Sequence, residues 1–233
     1  MVRKHISNKE LRDKMKEDPF VEFVKNAREY LLKYNQQIIA GIVVFLIVGL
    51  VSWVFVKHRK TVNDDSMLML SRVEQAYDAN KTEEGDKLLE ELLNNYSSSA
   101  AAPYALLLKA QRSYNSGKYD DALNTYQRCE NKYSGDVNFI AQKGIAYVKL
   151  AKGDGQGALK IFQELIENCA TTSEKAEMYY MIALCQEELG QFEDAAKNYM
   201  LVSEKSAYRT MAKQRAELLR DSAKPPADKT KDG

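Results

Sequence analysis

The sequence predicts an all-α protein: one membrane-spanning helix near the N-terminus, followed by a row of helical hairpins. Three observations carry this. Residues 38–56, IIAGIVVFLIVGLVSWVFV, contain no charged side chain in a chain whose mean hydropathy is -0.49. From Ser66 onward every segment repeats its apolar residues every three to four positions, as amphipathic helices do, and none alternates as strands do. Three segments of the C-terminal part also align with one another in steps of 36 and 37 residues.

Residues 1–37 form a basic tail, with nine Lys/Arg against six Asp/Glu. Asp18-Pro19 is a helix start, with a carboxylate cap and a proline where a missing N–H costs nothing. Phe20, Val24, Ala27, Leu31 and Tyr34 then make one apolar stripe, while Glu22, Lys25, Asn26, Arg28 and Glu29 are polar. Such a helix can lie on the membrane surface or dock on a partner, and the residues alone leave both open.

Over 38–56, nineteen residues at about 1.5 Å each cover roughly 28 Å, near the thickness of a bilayer's hydrocarbon core. Fourteen of them are Ile, Val, Leu or Phe. At about -0.3 to -0.6 kcal/mol each, insertion gains roughly -4 to -8 kcal/mol. Tyr34 and Trp53 fit the interfacial aromatic belt, and Lys57, His58, Arg59 and Lys60 fence off the far end. A soluble core helix would need apolar partners on all sides. A cleaved leader would begin earlier and end in small residues, so an uncleaved span is expected. The basic tail places the N-terminus in the cytoplasm and the long C-terminal part outside. Residues 57–66 are expected to be a juxtamembrane linker.

The repeat domain is expected over 67–222. Its aligned segments are ALLLKAQRSYNSGKYDDALNTYQRCENKYSGD, IAQKGIAYVKLAKGDGQGALKIFQELIENCATT and MYYMIALCQEELGQFEDAAKNYMLVSEKSAYR. Three kinds of position recur. Ala110, Ala146 and Ala183 are small where the paired helix approaches. Gly117, Gly153 and Gly190 follow a helical run, where a backbone with positive φ ends one helix and turns into the next. Ala122, Ala158 and Ala195 are each followed four residues on by an aromatic: Tyr126, Phe162 and Tyr199. Such a period marks stacked hairpins, none of which buries its apolar face alone. A fourth, decayed unit precedes them, MLMLSRVEQAYDAN and EEGDKLLEELLNNYSSS, broken near Asn80. A helix over 207–221 covers the last apolar face, and 223–233 is expected to be a disordered, solvated tail.

This pattern resembles the tetratricopeptide repeat, most closely in GKYDDALNTY and GQFEDAAKNY. The resemblance implies a right-handed superhelix of hairpins. It departs from the family in its longer steps, in the polar Lys109 and Gln142, and in lacking the proline after the second helix. It also implies that the first helices line an inner groove. Carried over position by position, that groove comprises Tyr104, Leu107, Gln111, Tyr114, Tyr147, Leu150, Tyr180, Leu184 and Glu187. Tyrosines offer wide amphipathic contact at low rotamer entropy, suited to polypeptide segments. Leu107, Leu150 and Leu184 fit equally well as packing between hairpins.

Catalysis has little to stand on. The two histidines, His5 and His58, lie outside the repeats, and no phosphate-cradling loop or metal-ligand spacing is present. The glycines of GDGQG, Gly153 to Gly157, fall in a repeat turn. Carboxylate pairs such as Glu83-Glu84 and Glu187-Glu188 suit solvated helix faces. Cys129, Cys169 and Cys185 have no metal spacing and read as small apolar side chains. No catalytic residue, cofactor, metal or small-molecule substrate is expected, and a net charge of +1 argues against nucleic acid.

The tail KHISNKELRDKMKEDPFVEFVKNAREYLLKY, the span and the repeats together, from about Asp18 to Ala216, resemble the bacterial membrane-anchored proteins grouped as the ancillary Sec translocon subunit and cell division coordinator family. That resemblance implies a single-pass inner-membrane protein with periplasmic repeats, partnered by a secretion channel and envelope chaperones. The function expected is a noncatalytic adaptor holding polypeptides beside a membrane machine. The alternative is a self-associating scaffold of an envelope or division complex.

Overall fold

The computed structural model describes residues 19–222. The first part of the basic tail and the 223–233 tail lie outside the described residues. Among those described there are helices and no strand: α1 (Pro19–Lys33), α2 (Asn35–Asp78), α3 (Thr82–Asn95), α4 (Ala102–Asn115), α5 (Tyr119–Lys132), α6 (Asp136–Ala151), α7 (Gly155–Ile166), α8 (Thr172–Glu188), α9 (Phe192–Leu201) and α10 (Arg209–Ser222). The chain divides into two units, one reaching to Thr61 and the other beginning at Val62.

In the first unit α1 starts at the proline, as its fixed φ favours, and buries none of its residues. The large apolar side chains from Ile39 to Val56 are all exposed, Phe45 to 76%. A helix inside a soluble core would bury them, so core packing does not account for this run. It is long and apolar enough to cross a membrane. The linker expected at 57–66 is helical instead. Lys57 to Asp78 contains no Gly or Pro to break the ladder, so α2 continues through it for 44 residues in all.

In the second unit four hairpins follow one plan. The end of α2 pairs with α3, then α4 with α5, α6 with α7, and α8 with α9. Gly117, Gly153 and Gly190 have φ of +74°, +80° and +73°, the left-handed conformation expected of them. Around each, two bonds close a Schellman motif. The glycine N–H reaches the carbonyl three residues back (Tyr114, Leu150, Glu187), and the next N–H reaches five back (Ser113, Lys149, Gln186), at 2.8–3.0 Å. The residue after the glycine then opens the second helix: its carbonyl accepts from Ala122, Ala158 or Ala195. Asp154 adds a side-chain cap, accepting from the Gly157 N–H at 2.9 Å, so GDGQG is a hairpin turn.

The decayed first hairpin keeps this geometry with other residues. Asn80, 37 positions before Gly117, has φ +57° and makes the same two bonds, to Tyr77 and Ala76. Asn tolerates that conformation where other residues with a side chain do not. Val73, Gly85 and Leu89 occupy the places of the small, Ala and aromatic residues. Gly85 is required there because a Cβ would come within 2.5 Å of the Tyr77 ring lying over it.

Ala110, Ala146, Ala183, Ala122, Ala158 and Ala195 are all fully buried, as are Phe162 and Tyr199; Tyr126 is nearly so. Between hairpins, the Tyr126 ring lies against Gly144 of α6, where a methyl would overlap it. Apolar clusters span neighbouring hairpins and share side chains. Leu93 belongs to both the first and second clusters, and Ile161 to both the second and third, so one core runs along the row. Helix α10 closes it with Ala212 and Ala216, both fully buried. Cys129 and Cys185 are buried free thiols, pushed up by burial to about 11 and about 12 respectively.

Two glycines separate two kinds of strain. Gly144→Ala overpacks the Tyr126 contact and is expected to cost about 1–3 kcal/mol. Gly153→Ala meets open space and suffers only its backbone conformation, about 1–2 kcal/mol. Pairing Gly144→Ala with Tyr126→Leu should recover much of the first loss and none of the second, measured by urea unfolding of residues 62–233 with circular dichroism. A pH scan of the same transition tests burial of Tyr126, whose phenol burial pushes up to about 12 from 10.0. The unfolded chain releases that proton near pH 10 and the folded chain holds it, so stability is full below pH 10 and falls as pH rises toward 12. Tyr126→Phe should lessen the fall.

Candidate functional site

The first helices of successive hairpins carry equivalent residues at one register position: Met67, Tyr104, Ile140 and Glu177, in steps of 37, 36 and 37. Met67, Tyr104 and Ile140 are exposed to 46%, 50% and 41%. Neighbouring helix axes lie about 8–10 Å apart in packed helical proteins, so equivalent residues on adjacent hairpins make a continuous line. Three large apolar side chains in water at one register are not needed for the core, which is built from other positions.

The line ends at a carboxylate. Glu177 on α8 accepts from the Lys143 ammonium of α6 at 3.1 and 3.2 Å and from the Tyr147 hydroxyl at 2.6 Å. The two charged side chains are only partly exposed, 24% for Lys143 and 17% for Glu177. Burial and the bond to Glu177 raise the Tyr147 phenol far above its ordinary range, so it stays a donor. Its ring meets Phe162 edge-on at 5.5 Å. The site is therefore net neutral, with fixed donors and an acceptor beside apolar surface. Ile140 and Lys143 also line a cavity of about 790 Å³, with Asp136, Phe139, Asn168 and Glu174. Glu174 belongs to the capping box of α8 with Thr171, and the Thr171 N–H holds its carboxyl below the usual range.

Of the groove residues expected from sequence, Tyr104 and Gln111 are exposed on α4. Tyr114 is half-buried against Tyr119, with ring centroids 5.6 Å apart. Tyr147, Leu150 and Leu184 are partly buried against the core. The exposure expected of Leu107 and Tyr180 gives way to burial, at 8% each. Leu107 joins the second core cluster, and Tyr180 is stacked on Tyr208 at 5.1 Å and tilted against Tyr199 at 5.5 Å. Glu187 is also engaged: its Oε2 accepts from the Tyr199 hydroxyl and from Arg215 of α10, each at 2.8 Å. The last hairpin thus uses its inner residues to hold the terminal helix. A smaller cleft of about 430 Å³ remains there between Tyr180, Glu187, Met211 and Arg215.

Met67, Ile140 and Glu177 were missed by the sequence reading. The signal was present: each stands one repeat step from Tyr104 or from its equivalent. Among the described residues no group of His, Cys, Asp and Glu is placed to hold a metal.

The family of tetratricopeptide repeat-like domains matches residues 28–219, a stretch that includes the apolar run. Similar solved structures share the fold at low identity. A tetratricopeptide repeat protein from Parabacteroides merdae ATCC 43184 is 16% identical with a TM-score of 0.55, over 68% of this chain and 61% of that one. The MamA RS-1 ArsTM double mutant is 15% identical with a TM-score of 0.51, over 69% of this chain and 97% of that one. The chain thus spans about three fifths of the length of the first of these. No curated protein matches it. Family match, hairpin geometry and shared fold agree, and the chain belongs to the family of tetratricopeptide repeat-like domains, a fold that serves as a scaffold for protein interactions.

Proposed function

We propose that this protein is a noncatalytic adaptor, held in a bacterial inner membrane by residues 38–56, whose repeats bind polypeptide segments on the periplasmic side beside a membrane machine. A secretion channel and envelope chaperones are the partners this reading favours. The observation that supports it is the exposed line of Met67, Tyr104 and Ile140 on successive first helices, leading to the paired Glu177 and Lys143. Apolar side chains recognise a segment without strict sequence, and the Lys143–Glu177–Tyr147 cluster offers polar groups already held in place. Gln111, Tyr114, Tyr147, Leu150 and Leu184 border that line in this reading. Tethering to a membrane raises the effective concentration of the face for a membrane partner, so weak contacts suffice.

A photo-crosslinking residue at Tyr104 or Ile140, introduced in cells, is expected to capture envelope or secretory proteins. The same residue at Asn124, exposed on the second helix α5, should capture few. Capture of cytosolic proteins alone would reject both the topology and the role.

The alternative, a self-associating scaffold, is favoured by a different observation: the last hairpin and terminal helix leave Phe192, Met200, Leu201 and Met211 exposed. A stable row of hairpins ordinarily ends in a polar face. Sedimentation of residues 62–233 separates the readings. An adaptor runs as a monomer at micromolar concentration, whereas a scaffold runs as a dimer or larger that Met200→Lys with Met211→Lys dissociates.

A further inference from the structure

Helix α1 has no role in the repeats or in the span, yet its pattern is strong. At 3.6 residues per turn, Phe23, Val24, Ala27, Tyr30 and Leu31 fall within an arc of about 120°. Glu22, Lys25 and Glu29 fall opposite it, and so does Leu32. Arg28 falls about 40° beyond one edge and Lys33 about 60° beyond the other. None of the helix is buried in the fold, with Phe23 exposed to 69% and Leu31 to 55%. A face with this composition needs a cover, and the residues that follow say which.

The apolar run carries a lysine–aromatic pair at each end. The Lys33 ammonium lies 5.3 Å from the Tyr34 ring, and the Lys57 ammonium 5.3 Å from the Trp53 ring. Tyr34 and Trp53 are nineteen residues apart, about 28 Å of helix, which is the separation of the two edges of a bilayer's hydrocarbon core. Aromatic and basic residues mark the headgroup level on both sides of such a span. Lys33 is the last residue of α1. The C-terminal end of α1 is therefore at headgroup level wherever the span is in a bilayer, and the Tyr30 ring, 4.7 Å from Tyr34, is there too.

From that starting point two directions are open. Continuing straight would carry Phe23 about 15 Å past the headgroup level and leave it in water. Lying along the surface buries the Phe23, Val24, Tyr30 and Leu31 face among acyl chains, sets Arg28 and Lys33 at the phosphates, and turns Glu22 and Glu29 to water. Both carboxylates sit where an anionic surface is farthest, with Lys25 beside them, and the other two bases, Arg28 and Lys33, lie nearer that surface.

We propose that α1 is an interfacial helix: it lies in the leaflet on the N-terminal side of the span, with Phe23, Val24, Tyr30 and Leu31 in the acyl region and Arg28 and Lys33 on anionic lipid headgroups. This rests on residues 38–56 being a span, and the test keeps the two apart. Trp53 is the single tryptophan of the chain, so the parent protein reports the span alone.

The full-length protein is reconstituted in phosphatidylcholine vesicles containing about one third phosphatidylglycerol, with lipids brominated on the acyl chains close to the carbonyls. Trp53 in the parent should be quenched. In the Phe23→Trp, Trp53→Phe variant the tryptophan should emit to the blue and lose more than half its intensity. In the Glu29→Trp, Trp53→Phe variant it should emit to the red and lose little. Replacing phosphatidylglycerol by phosphatidylcholine should weaken the quenching at position 23 and leave that of Trp53 unchanged. A red, unquenched signal from position 23 alongside a quenched Trp53 overturns the interfacial helix and leaves the span standing. Equal quenching at positions 23 and 29 overturns the assigned face. An unquenched Trp53 overturns the span and this proposal with it.

Discussion

The repeat unit depends on one backbone constraint, met four times: a residue in the left-handed region that ends the first helix of a hairpin and lets the second begin within two positions. Because the carbonyls of the first helix are satisfied by the Schellman bonds and the next residue's carbonyl already serves the second helix, no polar backbone group is stranded in the turn. Reversing the chain so tightly brings the two helices close. That in turn requires Ala110 with Ala122, Ala146 with Ala158, and Ala183 with Ala195 at the crossing. The buried aromatic one turn later, Tyr126, Phe162 or Tyr199, then fills the space as the helices diverge. The turn residue, the small residues and the aromatic are three consequences of one geometry.

The first hairpin shows how that geometry survives loss of its usual residues. Asn80 replaces the glycine, since its short polar side chain tolerates positive φ. Val73 is larger than the alanines of the other hairpins and Gly85 smaller. Tyr77 uses the room above Gly85 and is held by Arg112, whose guanidinium lies 4.1 Å from the ring, and by a hydroxyl bond to Asp86 at 2.7 Å. The last hairpin is adapted in a different way. Tyr180 and Glu187, on the first helix of that hairpin, are taken by Tyr208 and Arg215 of the terminal helix. Both ends of the row thus commit side chains to closure, and the exposed apolar line lies on the first three hairpins.

Most of the fold was legible because its determinants are local or periodic. Nineteen uncharged residues identify a membrane-compatible helix without any partner, since backbone satisfaction inside one helix is all a bilayer demands. Steps of 36 and 37 residues identify hairpins because each unit repeats the same turn. The break at Asn80 was visible, but its equivalence to the glycines was not, because Asn carries no composition signal of a left-handed turn in a polar segment. The continuation of α2 through 57–66 was also missed, since a charged flank reads as a linker although nothing in it breaks a helix.

The candidate face was legible only in part. Register names Tyr104 among the residues of a first helix expected to look inward, whereas Met67 and Ile140, one step either way, were recognised only from their exposure. Whether an inward residue is open to solvent depends on what the neighbouring hairpin places against it, and that was decided by tertiary structure. Leu107 and Tyr180 stand at one register position with Leu70 and Lys143, none of them exposed, because adjacent helices cover that position. Glu177 became part of the face because the fold brings Lys143 and Tyr147 of α6, 34 and 30 positions earlier in the chain, within hydrogen-bonding distance. Periodicity fixes direction from a helix axis, a local property; exposure and charge pairing are properties of the helix next door.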